Sequence, residues 1–305
     1  LGDVYKRQIE IKAYEHSAAT RLIEDFMLLT NETIAEEYYW LELPFVYRIH
    51  ETPDEEKLRT FATFLNNFGY SLHLTNHTIH PKELQKLLSR IEGSEAEGLI
   101  SRILLRSMKQ AKYSPENLGH FGLSAKYYCH FTSPIRRYPD LQIHRIIKEQ
   151  LHGTLSKSRQ EHYEHILPSV CDSSSKLERR ADEAERETDK LKKAQYMRRH
   201  IGDIYEGVIS GVTAYGFYVE LTNTVEGLVR AANLDDDYYI YDQEHYQLVG
   251  EMTGRTFSIG QSVSVVVVDA DTLTKQIEFL LYYPEEDWSK GETRHGKRKS
   301  KTHRK

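Results

Sequence analysis

"YEGVISGVTAYGFYVELTNTVEGLVRA", residues 205 to 231, decides how the chain divides. It contains three short alternating apolar runs, YEGVISGV, GFYVEL and VEGLVRA, separated by Gly and Asn signals. Period-two alternation between turn residues predicts strands. Two further runs follow, SVSVVVVDA (262–270) and QIEFLLYY (276–283). Short strands of this kind predict a small β-barrel over 202–283. Upstream of Gly202 the apolar spacing is helical, so a domain boundary is expected near residue 201.

Residues 17–40 carry Ala19, Leu22, Ile23, Phe26, Leu29 and Ile34 near helical spacing. ELPFVYRIHE (42–51) is a short apolar and aromatic run that reads as a strand. Pro53 and Gly69 bracket a helix with a Leu58, Phe61, Leu65 stripe, and Pro81 and Gly93 bracket another. Ser94 and Glu97 form a capping-box pattern for a helix to about Gln110. Residues 113–139 read as an aromatic, Gly- and Pro-containing loop. Pro139 and Asp140 then open a helix with Leu141, Ile143, Ile146, Ile147 and Leu151, stopped by Gly153. A helix is expected over 156–167. Ser175 and Glu178 form a second capping-box pattern, starting a long charged helix to about His200, a mostly solvated connector.

The chain has 305 residues and a formal net charge of -5. That length suits two domains or one large one, and no apolar run approaches a bilayer span. Two cysteines, Cys129 and Cys171, suggest neither a disulfide framework nor a metal cluster, which fits a reducing cytoplasm. Mild net acidity does not exclude a nucleic-acid partner, because charge distribution matters more than its sum. SKGETRHGKRKSKTHRK (289–305) is dense in Lys and Arg without apolar periodicity, so 284–305 is expected to be a disordered basic tail. Such a tail serves either as a solubiliser or as an electrostatic arm for RNA. The chain begins with Leu, and LGDVYKRQ (1–8) does not merge into the following pattern; it reads as a spurious junction on a fragment.

The chemistry-bearing stretch is CHFTSPIRRYPDLQIHR (129–145). Pro134 pushes Ser133 toward an extended conformation, and Pro139 presets the first turn of the next helix. Arg136, Arg137 and Tyr138 are therefore held between two stiff points before a helix N-terminus, a favourable place for an anion. A guanidinium there can grip phosphate oxygens in pairs. The competing reading is that the arginines pair with neighbouring carboxylates. His130 and His144 flank the loop and read as structural hydrogen-bonding groups, and Ser133 as a turn residue.

GHFGLSAKYYCHFTSPIRRYPDLQIHR (119–145) resembles the signature of the ribonuclease II family, in the C-terminal half of its catalytic domain. RLIEDFMLLTNE (21–32), FVYRIHETPDEEKL (45–58) and RSMKQAKYSPENLGHFGL (106–123) resemble the same domain in the same order. The resemblance implies a processive 3′→5′ exoribonuclease that hydrolyses RNA to nucleoside 5′-monophosphates. It places Arg136 on the family's phosphate-gripping arginine, and Glu24 or Asp25 on an acidic position beside the sugar. Glu187 falls near a further acidic position that influences activity; the alternative is a solvated charge on a helix face. The family's Mg²⁺ aspartates correspond to nothing in this sequence, so the resemblance implies a fragment inactive alone. Asp235, Asp236 and Asp237 read as an exposed acidic loop, not a metal site.

GVTAYGFYVELTNTVEGLVR (211–230) is similar to an S1 domain, an OB-fold RNA-binding barrel. Tyr215 and Tyr218 fall on its RNA-facing aromatic positions, Arg230 on a basic one, and Asp269 and Lys275 on polar ones. Because Phe217 alternates with Tyr218, Phe217 is expected in the core and Tyr218 outside.

The fold expected is thus α+β: 9–152 as the helix-rich C-terminal part of a ribonuclease II-type catalytic domain, 153–201 as a helical connector, 202–283 as an S1 barrel, then the tail. Single-stranded RNA, and also structured RNA, is the expected partner of a cytoplasmic monomer with no membrane association. The alternative is a non-catalytic RNA-binding protein built from a degenerate nuclease domain and an S1 barrel.

Overall fold

The computed structural model describes residues 10–12, 17–66, 68–72, 79–94, 97–243 and 245–283. The expectations for 1–8 and for the basic tail 284–305 lie outside these residues.

The first domain opens with α1 (Ala18–Trp40), capped by the Ser17 hydroxyl, which accepts the Thr20 amide at 3.2 Å. The helix expected from apolar spacing forms, but most of those apolar positions face solvent. Leu22, Ile23, Phe26 and Leu29 are all more than half exposed, and the buried positions are Asn31, Ala35 and Tyr38. The C-terminal half of α1 enters the first-domain core through Ala35 and Tyr38. There Asn31 accepts the Phe131 amide at 3.0 Å and donates to the Tyr128 hydroxyl at 3.2 Å.

β1 (Tyr47–Ile49) follows, then α2 (Glu55–Asn66), α3 (Pro81–Ile91) and α4 (Glu97–Ser107). The three helices bury Leu58, Phe61, Leu65, Leu87, Ile91 and Ile100 in one core. The expected Ser94–Glu97 capping box does not form: the Glu97 carboxylate accepts the Gly93 amide at 2.7 Å, and the Ser94 hydroxyl donates to the Ile91 carbonyl at 2.6 Å. β2 (Lys112–Ser114) pairs antiparallel with β1, so the region expected to be loop from residue 113 begins as a strand. α5 (Tyr138–Leu151) starts one residue before Pro139.

α6 (Lys157–Met197) is one 41-residue helix through Pro168, not the two helices expected. Ser175 does not cap a helix start. Its hydroxyl donates to the Cys171 carbonyl at 2.7 Å and accepts the Tyr113 amide of β2 at 2.9 Å. A buried strand amide needs an acceptor, and Ser175 supplies it from the middle of a helix. The charged stretch expected to be a mostly solvated connector is largely exposed, with no buried residue from 176 to 193, but the helix is anchored at both ends. Tyr163, Leu167 and Cys171 enter the core formed with β1, β2 and α5, while Ala194 and Met197 enter the barrel core. The helix spans roughly 60 Å, so one element packs into both hydrophobic cores.

The barrel strands are β3 (Ile204–Thr213), β4 (Gly216–Leu221) and β5 (Glu226–Arg230). An antiparallel sheet of β6 (Tyr239–Asp242), β7 (Gln247–Gly250) and β8 (Thr256–Ser258) intervenes, before β9 (Ser262–Asp271) and β10 (Gln276–Leu281). The closed order is β10-β5-β4-β3-β9, made of the five alternating runs in the sequence. The intervening sheet was not legible, because 233–258 is dominated by polar and turn residues. Gly227 is required by packing: a Cβ there would meet the Phe279 ring at 2.4 Å. The barrel also touches the three-helix unit, with Tyr246 edge-on to Phe64 at a centroid distance of 5.5 Å. Among the described residues no helix is long and apolar enough to cross a membrane.

Candidate nucleic-acid interface

The arginine loop is built around one buried carboxylate. Asp140 is 0 % exposed. Its Oδ2 accepts the Ser133 amide at 2.8 Å, Arg137 Nε at 3.1 Å and Arg137 Nη2 at 2.7 Å. The Ser133 carbonyl accepts the amides of Arg136 and Arg137 at 3.3 and 3.0 Å. The Ser-Pro-Ile-Arg turn is therefore closed by backbone and locked by Asp140. Its tip projects: Ile135 is fully exposed and Tyr138 is half exposed.

This separates the two arginines. Arg137 is consumed by Asp140, so the carboxylate-pairing reading holds for it and it is not presented as an RNA contact. Arg136 is exposed and, among the described residues, makes no side-chain hydrogen bond or ion pair. A locked turn that displays one unpaired guanidinium is preorganised to grip a phosphate.

Behind the loop lies a polar network that sequence reasoning missed. The Tyr113 hydroxyl bonds His130 Nδ1 at 2.9 Å, and Arg48 bonds Glu178 at 2.6 Å with its guanidinium 4.7 Å from the Tyr113 ring centre. Burial, aided by the Arg137 and Arg48 charges, pushes His130 down to about 2. Burial and the neighbouring His50 hold His120 to about 4. Both rings are neutral near pH 7. His144 is also structural: Nε2 meets the Phe131 carbonyl at 2.9 Å, and its ring stacks on Phe131 at 4.2 Å. The only sequence hint of the Asp140 lock was an acid three residues after an arginine at a helix start.

Glu24 and Asp25 lie on the exposed N-terminal half of α1. Glu187 stands apart from the network. It is nine residues beyond Glu178 on α6, hence about 13.5 Å along the axis and about half a turn round it. It pairs with Lys190 at 3.0 Å and with Lys275 of the β9–β10 turn at 2.5 Å. Two residues assigned separate RNA roles thus neutralise each other across the junction of helix and barrel.

On the barrel, Phe217 is 0 % exposed and stacks on Phe257 at 4.8 Å, whereas Tyr218 faces outward. The Tyr215 and Tyr218 hydroxyls lie 2.9 Å apart, and their rings are perpendicular at 6.4 Å. Their hydrogen bond, with partial burial, pushes Tyr218 up to about 12, so the phenol stays neutral. Tyr215 is more than half exposed. Tyr218, Leu228 and Glu278 are in register across β4, β5 and β10. Arg230 is not an open cation, since its Nε donates to Glu278 at 2.9 Å. Asp269 is exposed opposite Glu278. The face combines two aromatic rings with an ion pair, a surface for stacking bases.

The acidic run 235–237 organises its own loop. Asp236 accepts from the Tyr239 hydroxyl and Arg255, each at 3.0 Å. Asp237 accepts the amides of Tyr238, Met252 and Thr253 together with the Thr253 hydroxyl, which holds it down to about 2. Among the described residues, no group of three His, Cys, Asp or Glu could hold a metal ion.

Comparison with known proteins matches two family models to separate parts of the chain. The RNB domain family model matches residues 1–153, and the S1 RNA binding domain model matches 199–281. Ribonuclease R 1 of Lactococcus lactis subsp. lactis is 46% identical over 278 residues, covering 91% of this chain and 34% of that protein. Ribonuclease R of Aquifex aeolicus is 43% identical over 285 residues, covering 92% of this chain and 40% of that protein. The chain thus spans 34% and 40% of these relatives' lengths. Mycoplasma genitalium RNase R, solved in complex with ribose methylated single-stranded RNA, superposes with a TM-score of 0.83 at 25% identity, over 92% of this chain and 44% of that one. With the RNB model over half its length, an S1 barrel and these relatives, the chain belongs to the RNB-domain family and is of the ribonuclease R type.

Proposed function

We propose that this chain supplies the phosphate-gripping loop and the S1 RNA-binding barrel of a 3′→5′ exoribonuclease that hydrolyses RNA to nucleoside 5′-monophosphates. The observation that carries the reading is the loop at 133–137. Its backbone and Arg137 are locked on buried Asp140 while Arg136 stays unpaired. Arg136 stabilises charge on the scissile phosphate, and Tyr215 and Tyr218 hold the strand by stacking. Arg137 fixes the loop from behind. Glu24 or Asp25 remains the candidate for contact with the sugar. Single-stranded RNA is the substrate proposed, with structured RNA as an extension, for a monomer acting in the cytoplasm.

Magnesium is the proposed cofactor of the hydrolysis, but the residues described do not fit a site for it. Asp140 is held by Arg137, Glu178 by Arg48, Glu187 by two lysines, and Asp236 and Asp237 by their own loop. Neither neutral His130 nor His120 is poised as a general base. The groups described can therefore bind and polarise a phosphodiester without generating a nucleophile. We propose that residues 1–305 alone bind RNA and do not cleave it. Incubation with a 3′-tailed RNA and Mg²⁺ tests this. The expected result is a shifted, intact RNA, with binding weakened by Tyr218→Ala. Robust mononucleotide release would overturn the non-cleaving reading, and failure to shift RNA would overturn the RNA-binding one.

A further inference from the structure

A concave surface lies between the C-terminal end of α1 and the segment 117–127. It is a cleft of about 500 Å³, bordered by Tyr39, Tyr127, Pro81, Asn117, His120 and Lys126. That volume lies within the range of small-molecule sites, roughly 300–1,000 Å³.

Its rim is aromatic and exposed. Tyr39 lies against Tyr127 at 4.7 Å, and Trp40 meets Tyr39 edge-on at 5.3 Å and Tyr127 at 6.2 Å. Yet Trp40 is 67 % exposed and Tyr39 is 41 % exposed. Two exposed aromatics clustered on a half-buried third at a cleft mark an unfilled contact surface. The floor is tightly built. His50 Nε2 donates to the Lys109 carbonyl at 2.6 Å while Nδ1 accepts the Gly122 amide at 2.9 Å. A Cβ on Gly122 would sit 2.9 Å from that same Nδ1. His120 Nδ1 accepts the Leu123 amide, so the neutral ring carries its hydrogen on Nε2 as a donor. At the edge, Lys126 is exposed and has no ion-pair partner among the described residues.

We propose that this cleft binds one nucleotide unit of RNA, with the base on the Tyr39–Trp40–Tyr127 wall and the phosphate against Lys126. The inference rests on the RNA-handling reading above and adds a site to it. Mutually tilted aromatic rings beside one unpaired cation offer a stacking face for one base and a contact for one phosphate, whereas a protein partner would favour a broader, flatter apolar patch. The unit is either a released nucleoside monophosphate or an internal nucleotide of the strand.

The chain contains two tryptophans, Trp40 and Trp288, so a Trp288→Phe chain reports from Trp40 alone. It is titrated with adenosine 5′-monophosphate in one arm and with an oligoadenylate in the other. Saturable quenching by the monophosphate identifies the released unit; quenching by the oligoadenylate alone identifies the strand. Tyr127→Leu and exposed Lys126→Ala should each weaken the responding arm by about tenfold, within the span of one stacking contact. Three results would overturn the site: no saturable quenching in either arm, affinity unchanged in both cleft variants, or self-association that shields Trp40 without nucleotide. If the oligoadenylate still binds through the barrel tyrosines while Trp40 is silent, this inference fails and the RNA-binding reading stands.

Discussion

Asp140→Ala removes the acceptor on which the arginine loop closes. Three donors converge on one oxygen: the Ser133 amide at 2.8 Å and Arg137 Nε and Nη2 at 3.1 and 2.7 Å. Each bond to a charged group contributes about 1.5–3 kcal/mol, but bonds sharing one acceptor do not add independently. Breaking a buried ion pair by removing one partner costs about 3–5 kcal/mol. Arg137 retains 18% side-chain exposure and regains some solvation, which favours the lower end, about 3 kcal/mol. Asp140→Asn keeps an acceptor for the Ser133 amide and should lose about 2 kcal/mol. With a urea slope of roughly 2 kcal/mol per molar, the midpoints fall by about 1.5 M and about 1 M. Trp40 fluorescence in the Trp288→Phe background follows the first domain. Arg136→Ala is the control and should stay within about 0.5 kcal/mol of the parent, because its side chain has no partner to lose. A shift below about 0.3 M for Asp140→Ala would refute the lock, since it would mean that the loop is solvated and held elsewhere.

Other perturbations probe the same assignments. Burial lowers His130 to about 2, while the unfolded chain binds its proton near ~6.5. Stability is therefore complete above that unfolded value and falls with decreasing pH, by about 1.4 kcal/mol per unit for this one group. His130→Gln should flatten the pH dependence of the urea midpoint between pH 6 and 4, and an unchanged slope would refute the assignment. Phe217→Ala should cost the barrel about 3–5 kcal/mol, whereas Tyr218→Ala should leave stability nearly intact and weaken RNA binding by about 1–3 kcal/mol. The reverse ranking, read by calorimetry and gel shift, would mean the strand register is flipped. Glu187→Gln removes a half-exposed pair with Lys275 and should leave the thermal unfolding midpoint nearly unchanged. A larger loss in thermal unfolding would make that pair a principal tie between helix and barrel.

Much of the fold was legible because it rests on local periodicity. Five alternating runs became five barrel strands, and the helix expected to open at Pro81 does start there. The failures have physical causes too. Ser175 looks like a cap in sequence, but a cap exists only if no helix precedes it. Here α6 already runs through, and the hydroxyl serves an amide 62 residues away. The Leu22–Leu29 stripe has helical spacing, but spacing alone cannot say what lies opposite it.

The sequence by itself determined the family signature, the barrel, the inward Phe217 and outward Tyr218, and a stiff turn bearing two arginines. All of these follow from neighbours along the chain. Only the tertiary structure decided which arginine is available. Arg136 and Arg137 are adjacent and chemically identical, but Asp140 folds back under the turn and takes Arg137 alone. Likewise, Lys275 and Glu187 lie 88 residues apart, and only folding makes them a pair. Charge pairing depends on where buried and half-buried groups meet in space, and that meeting is set by long-range packing.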